Sequence, residues 1–175
     1  MNRAKILPSD LNVRPHHLWS EKWLLLAAGD FASDNFNAMT VGWGSIGTMW
    51  MMPFVQVVVR PGRYTFEFME ASDSFTLCAF PETCRKALQI MGSKSGRDTN
   101  KIAGAGLTPI ASTEVAAPGF DEADLIIECR KIYWQDLNPQ HFLAPHIDGN
   151  YPQKDYHRIY FGSIAAIWGT PAYHV

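Results

Sequence analysis

The chain carries little net charge, few cysteines and no long apolar run. Its formal charge is −2 over 175 residues, so no global field attracts nucleic acid or an anionic membrane. Cys78, Cys84 and Cys129 form no CxxC pair and show no zinc spacing, and they read as reduced packing residues. Apolar stretches such as WLLLAAG at 23–29 are far too short to span a bilayer. The N-terminal MNRAKILPSDLNVRPHH has no continuous apolar core and does not read as a signal peptide. Together these absences predict a cytoplasmic protein that binds neither nucleic acid nor membrane.

Catalytic signatures are scarce too. There is no G-x-S-x-G elbow, no H-E-x-x-H pair and no G-x-G-x-x-G after the first strand. His16 and His17 diverge as neighbours, and His141 and His146 sit in a proline-rich stretch, so no metal site is expected. Hydrolase triads leave no signal in the sequence either.

What is present is apolar and aromatic: 47% hydrophobic and 13% Phe, Trp or Tyr, with 18% charged. That composition suits one domain over 1–175 with a core and a ligand cleft. Residues 1–22, with Pro8 and Pro15, are expected to lie over it as an extended arm.

Strands are expected at 23–29, 36–43, 54–60, 74–80, 123–137 and 156–168, where apolar and β-branched residues run or alternate between Gly and Pro breaks. In 123–137, Leu125, Ile127, Cys129, Lys131 and Tyr133 fall on one face. One short helix is expected after a Thr65 cap, and another from Pro81 to a stop at Gly92. Residues 93–101 are then a loop after a helix C-terminus, where the dipole disfavours anions. Many strands and few helices predict a mainly β fold, a closed or partly open barrel.

Two clusters can carry binding. NAMTVGWGSIGTMWMMP at 37–53 is dense in Trp, Met, Gly and Thr. It either walls a flat ligand through Asn37, Thr40, Trp43 and Trp50, or fills a barrel core. The second cluster joins VRPGRYT at 59–65 to MGSKSGRDTNK at 91–101. Arg60 and Arg63 with Tyr64 and Thr65, and Ser93, Ser95, Gly96, Arg97 and Lys101, suit a phosphate. Each segment alone also reads as a solvated charge run. Asp98 is expected to pair with Arg97 and fix the turn. His157 is placed to reach a cleft or to sit satisfied in the core.

In order and spacing, NAMTVGWGSIGTMWMMP, VVVRPGRYT, LQIMGSKSGRDTNK and DYHRIYFGSI resemble the flavin reductase-like proteins. More narrowly, the chain is similar to flavoredoxin-type members of the FMN-binding split-barrel superfamily, over residues 20 to 168. The resemblance implies an antiparallel split β-barrel with a few peripheral helices, forming a homodimer with one non-covalent FMN per subunit near the interface. It implies that Asn37, Ala38, Met39, Thr40, Val41, Gly42 and Trp43 run along the isoalloxazine, with Trp50, Pro53 and His157 also in the site. It implies that Arg60, Tyr64 and Thr65, with Ser93, Ser95, Gly96, Arg97 and Lys101, hold or cover the ribityl phosphate. NADH or NADPH is the implied co-substrate, passing hydride through FMN to an unknown electron acceptor. An electron carrier without efficient NAD(P)H turnover is the alternative. The chain departs from the family loop at Asn100, where an acid is frequent.

Overall fold

The structure, a computed structural model, describes residues 2–175. Its strands are β1 (Ala4–Lys5), β2 (Leu24–Asp30), β3 (Asn35–Val41), β4 (Gly44–Met49), β5 (Met52–Val59), β6 (Ser74–Ala79), β7 (Pro109–Ile110), β8 (Gly119–Phe120), β9 (Leu125–Asp136) and β10 (Arg158–Gly169). Its α-helices are α1 (Tyr64–Ala71), α2 (Arg85–Ser93) and α3 (Lys101–Ala105). One antiparallel sheet runs β3-β2-β6-β9-β10-β5-β4, with β1 added to β10, and β7 pairs β8 apart from it. The two outermost strands, β3 and β4, are consecutive in the chain and joined across Gly42 and Trp43, yet they stand at opposite ends of the hydrogen-bonded order. The sheet therefore curls without closing, which is the expected split barrel.

The curl has two apolar sides, and β2 shows why its sequence is apolar without alternation. Leu24, Leu26 and Ala28 join Val55, Val57, Phe75, Leu77, Leu125 and Ile127 inside the barrel. Leu25 and Ala27 face the other way, packed with Leu88 and Met91 of α2 and with Phe80 and Phe120. All five β2 residues are fully buried. Truncating any of the three leucines to alanine costs about 2–5 kcal/mol by cavity formation.

The structure corrects several local expectations. β4, GSIGTM, was hidden by its two glycines and lack of alternation. Along β9 the register shifts opposite Phe161 and Gly162, leaving Ile132 unpaired with β10. That bulge carries Tyr133 out of the inward row, so Leu125, Ile127 and Cys129 enter the core while Tyr133 stays 43% exposed. Thr65 is not a cap: α1 begins at Tyr64 without a side-chain cap, and Thr65 is buried in its first turn. Pro81 leads into a 3-10 turn, Glu82–Cys84, before α2 starts. Gly92 lies within α2, where a Cβ would come 3.2 Å from Thr40 Cβ. Loop 93–101 is shorter than expected, because Lys101 opens α3 and Asn100 caps it by accepting from the Ala103 amide. The acid-to-amide departure at Asn100 thus keeps a good N-cap. The arm is extended only in part: β1 pairs with β10, and His17–Lys22 winds into a π-helical turn.

Candidate functional site

Two clefts flank β3 where it meets α2 and the 94–100 loop. The smaller, about 190 Å³, is lined by Met39, Thr40, Val41, Gly42, Trp43, Val58, Arg60, Arg63 and His157. The larger, about 630 Å³, is lined by residues from the β2–β3 turn, α1, the loop and α3, including Asn37, Tyr64, Gly96, Arg97 and Lys101.

β3 is fastened on both sides. The Asn37 amide donates to Thr65 Oγ1 at 2.8 Å in a buried contact, tying β3 to α1. Thr40 Oγ1 donates to the Leu88 carbonyl at 2.6 Å, tying β3 to α2. Gly96 threads between Asn37 and Tyr64: a Cβ there would stand 2.5 Å from Asn37 Oδ1 and 3.1 Å from Tyr64 Cδ1. Only glycine permits that approach, and it brings the loop against the strand.

The cations divide into two kinds. Arg60 Nη1 contacts both oxygens of Asp155 at 2.8 and 2.9 Å, its Nη2 donates to the Asn150 carbonyl, and its guanidinium lies 5.0 Å from the Tyr151 ring centre. Arg97 pairs with Glu67, donates to the Gly62 carbonyl and covers the Tyr64 ring. Glu67 therefore takes the bracing role expected of Asp98. Arg63 and Lys101 differ, since neither has an acidic partner among the described residues. Lys101, 5% exposed, donates to the carbonyls of Met91 and Lys94 at 3.2 and 3.3 Å. Arg63 donates to the carbonyl of Gly92 at 3.3 Å. These are orphan carbonyls at the C-terminal end of α2, whose partial negative charge draws cations. A half charge of dipole against two full positive charges leaves the junction net positive. Burial first, and then repulsion from Arg63, lower the Lys101 ammonium to about 8.

His157 faces the smaller cleft with its ring 5.2 Å from Trp43. Its Nδ1 shares a 2.8 Å hydrogen bond with the Tyr151 hydroxyl. Burial, then the positive charge of Arg60, push it down to about 4, so it is a neutral imidazole at neutral pH.

The remaining expected residues separate. Ala38 is buried under α2, away from either cleft lining. Ser93 donates back to Gln89 and Ile90, and Ser95 Oγ accepts from the Arg97 amide. Trp50 and Pro53 sit at the far end of the β4–β5 hairpin, about 20 Å along β4 from Trp43 at ~3.3 Å per residue. The site-lining residue left out of the implied phosphate set is Arg63; its spacing from Arg60 was visible, but not which arginine already had an acid. Trp23 was also missed. It backs Gly42 from the left-handed region (φ 63°, ψ 157°), under the Arg85 guanidinium at 3.6 Å.

An open antiparallel barrel with a cationic junction between two clefts at its strand edge defines a split barrel with a candidate ligand site. The flavin reductase like domain model matches residues 22–169, and the chain belongs to that family, a family of flavin-related oxidoreductases. Among solved structures, the fold is similar to flavoredoxin of Desulfovibrio vulgaris (Miyazaki F), at 21% identity and TM-score 0.67 over 89% of this chain and 73% of that one. It is also similar to an FMN-binding domain of a flavin reductases-like enzyme from Shewanella baltica OS155, at 19% identity and TM-score 0.69 over 96% and 77%. A third, an NADH:FAD oxidoreductase of Streptomyces globisporus C-1027, gives 14% identity and TM-score 0.66 over 87% and 78%. No curated protein matches the chain by sequence. Among the described residues, no helix is long and apolar enough to cross a membrane, and no cluster of potential metal ligands occurs.

Proposed function

We propose that the chain is an FMN-dependent oxidoreductase that accepts electrons from NADH or NADPH, with the flavin phosphate held between Arg63 and Lys101. The observation that carries this is the charge balance: two adjacent cations, one buried, with helix carbonyls but no carboxylate against them. A dianionic phosphate supplies the missing charge, and charge-assisted bonds of this kind contribute about 1.5–3 kcal/mol each. The donor set fits the group. Backbone at Met39–Gly42 and the faces of Trp43 and His157 offer an edge and walls to a flat ring in the smaller cleft.

Bound FMN supplies the hydride and electron chemistry. The protein's part is to hold and orient. Arg60, fixed by Asp155, pins the 145–156 segment beside His157. His157 stays neutral and, with Tyr151 holding its Nδ1, keeps one ring orientation. Trp43, 51% exposed, leaves the outer side of the cleft open to a nicotinamide or another acceptor.

A homodimer belongs to the same reading. The hairpin between β4 and β5 holds Trp50 and Met51 at φ 50° and 59°, both left-handed and neither glycine nor asparagine. Such a turn costs about 1–2 kcal/mol per residue. It holds Met51 at 99% exposure beside exposed Trp50, whose ring lies 5.9 Å from that of exposed Tyr133. An apolar patch maintained against strain suits a subunit contact.

An anaerobic titration of the flavin-loaded protein with NADH and NADPH tests the proposal. Stoichiometric loss of the flavin's visible colour supports it. Retained flavin that neither nucleotide bleaches leaves an electron carrier, and a colourless protein that takes up no FMN overturns both.

A further inference from the structure

The chain has six tyrosines, and they differ in what stands ready to take a proton from the hydroxyl. A phenol that loses one electron becomes a strong acid, so it oxidises readily only beside a base. The electron also needs an oxidisable ring close by, because transfer between rings falls off steeply with distance. Tyr160 and Tyr173 have carboxylates, Glu70 and Asp124, but no tryptophan ring against them among the described residues. Tyr133 has Trp50 at 5.9 Å, yet its hydroxyl donates to the Gln135 amide oxygen, a poor base. Tyr64 meets Phe68 and the Arg97 cation, neither of which takes a proton.

Tyr151 and Tyr156 meet both conditions, in series. Exposed Trp43 lines the smaller cleft, with its ring centre 5.2 Å from that of His157. The His157 ring lies 5.5 Å from Tyr151, and Tyr151 lies 4.9 Å from Tyr156. Tyr151 is buried, and His157 Nδ1 is the one acceptor its hydroxyl has among the described residues, so the O–H donates to Nδ1. Tyr156 donates to Asp148 Oδ1 at 2.8 Å, and Asp148 in turn pairs with Lys154 in an exposed contact. Phe142 packs on both tyrosines, at 6.1 and 5.8 Å, and is too hard to oxidise to compete with them. The Arg60 guanidinium over the Tyr151 ring disfavours a positive charge there, so electron and proton leave together. Burial keeps His157 a weak base, but an oxidised phenol is acidic enough to protonate it.

We infer that Trp43, His157, Tyr151 and Tyr156 form a relay that carries one-electron oxidising equivalents from the smaller cleft to the exposed 145–156 segment. The starting oxidant is a radical derived from dioxygen, and only its origin in the cleft rests on the flavin reading. It takes one electron from the Trp43 indole. Tyr151 restores that electron, and its O–H bond breaks as an N–H bond forms at His157 Nδ1. Tyr156 then reduces Tyr151; the Nδ1 proton returns to the Tyr151 oxygen, and the Tyr156 proton passes to Asp148. Every group ends as it began except Tyr156, now a neutral radical, and Asp148, which hands its proton to water. A thiol in solution restores Tyr156 by giving it a hydrogen atom.

Pulse radiolysis of the full-length protein with azidyl radical tests the relay without any flavin, so its outcome is independent of the flavin reading. Azidyl oxidises exposed tryptophans first. In wild type, indolyl absorption should then give way to tyrosyl absorption in a fast phase whose rate does not depend on protein concentration. Trp43→Phe and Tyr151→Phe should each lower the tyrosyl yield of that phase at least fivefold, whereas Tyr133→Phe should leave it unchanged. His157→Gln keeps every tryptophan and tyrosine ring and should slow the phase at least fivefold. Tyr156→Phe should keep the phase but move the spin-trapped product, located by peptide mass spectrometry, from Tyr156 to Tyr151. That map decides the matter even if a Tyr151 variant misfolds. The relay is overturned if Trp43→Phe and Tyr151→Phe keep the fast phase, if Tyr133→Phe removes it, or if the wild-type product lies elsewhere than on Tyr156.

Discussion

Arg60, Arg63, Arg97 and Lys101 all look like phosphate ligands in sequence, but in the structure only Arg63 and Lys101 lack an acidic partner among the described residues. All four fall within or beside the same two motifs. Arg60 and Arg97 each meet an acid, Asp155 and Glu67; Arg63 and Lys101 meet the carbonyl end of a helix. A carboxylate cancels a cation, whereas a helix terminus attracts a cation and cancels about half of it. The lesson is that a cation's value to a ligand depends on what already neutralises it.

The largest expected effect sharpens that contrast. Replacing Arg63 and Lys101 together with alanine should weaken FMN binding by a hundredfold or more, at about 1.5–3 kcal/mol per charge-assisted bond. Quenching of flavin fluorescence measures it. An Arg97→Ala variant that weakens FMN as strongly would break the distinction.

Next in size is Arg60→Ala. Losing the Asp155 pair, the Asn150 contact and the Tyr151 stack should lower stability by about 1–3 kcal/mol, as for other hydrogen bonds to charged groups. Denaturant midpoints report it, and FMN affinity should change by less than about threefold if this arginine is a brace.

The third probe is pH. Lys101 in the free protein loses its proton at about 8, so binding a phosphate above that pH requires proton uptake. FMN affinity should therefore fall as pH rises from 8, and Lys101→Arg should flatten the profile. Stability of the flavin-free protein should move oppositely. Between about 8 and 10.5 the unfolded chain holds the proton that the fold has released, so stability rises with pH there. Parallel trends would sink the assignment.

The smallest effect concerns His157. Its native value lies near 4, below the ordinary 6.5. The unfolded chain takes up the proton first on acidification, so stability should fall from pH 6.5 toward 4. Thermal melts of the wild type and of His157→Gln, which should lose that slope, check it.

Legibility in the sequence followed the same divide. β2, β5, β6, β9 and β10 were readable because burial writes itself as hydrophobic pattern. β4 was not, because an edge strand broken by two glycines need satisfy only one neighbour. Arg60, Arg97 and Lys101 were readable as an anion-friendly group. Their sorting was not, because Asp155 lies 95 residues from Arg60, and Glu67 lies 30 from Arg97. Thr65 was misread as a cap because Asn37, the partner that buries its hydroxyl, lies 28 residues upstream.

The Lys101 ammonium has one more implication. An ammonium has three donors in tetrahedral array, and two of them are anchored on Met91 and Lys94. The third direction is then set by the helix rather than by the flexible lysine stem. The side chain works as a gauge, fixing where an acceptor oxygen must stand before any ligand arrives. Shifting the last turn of α2 by a single residue would re-aim it without changing any residue in either cleft.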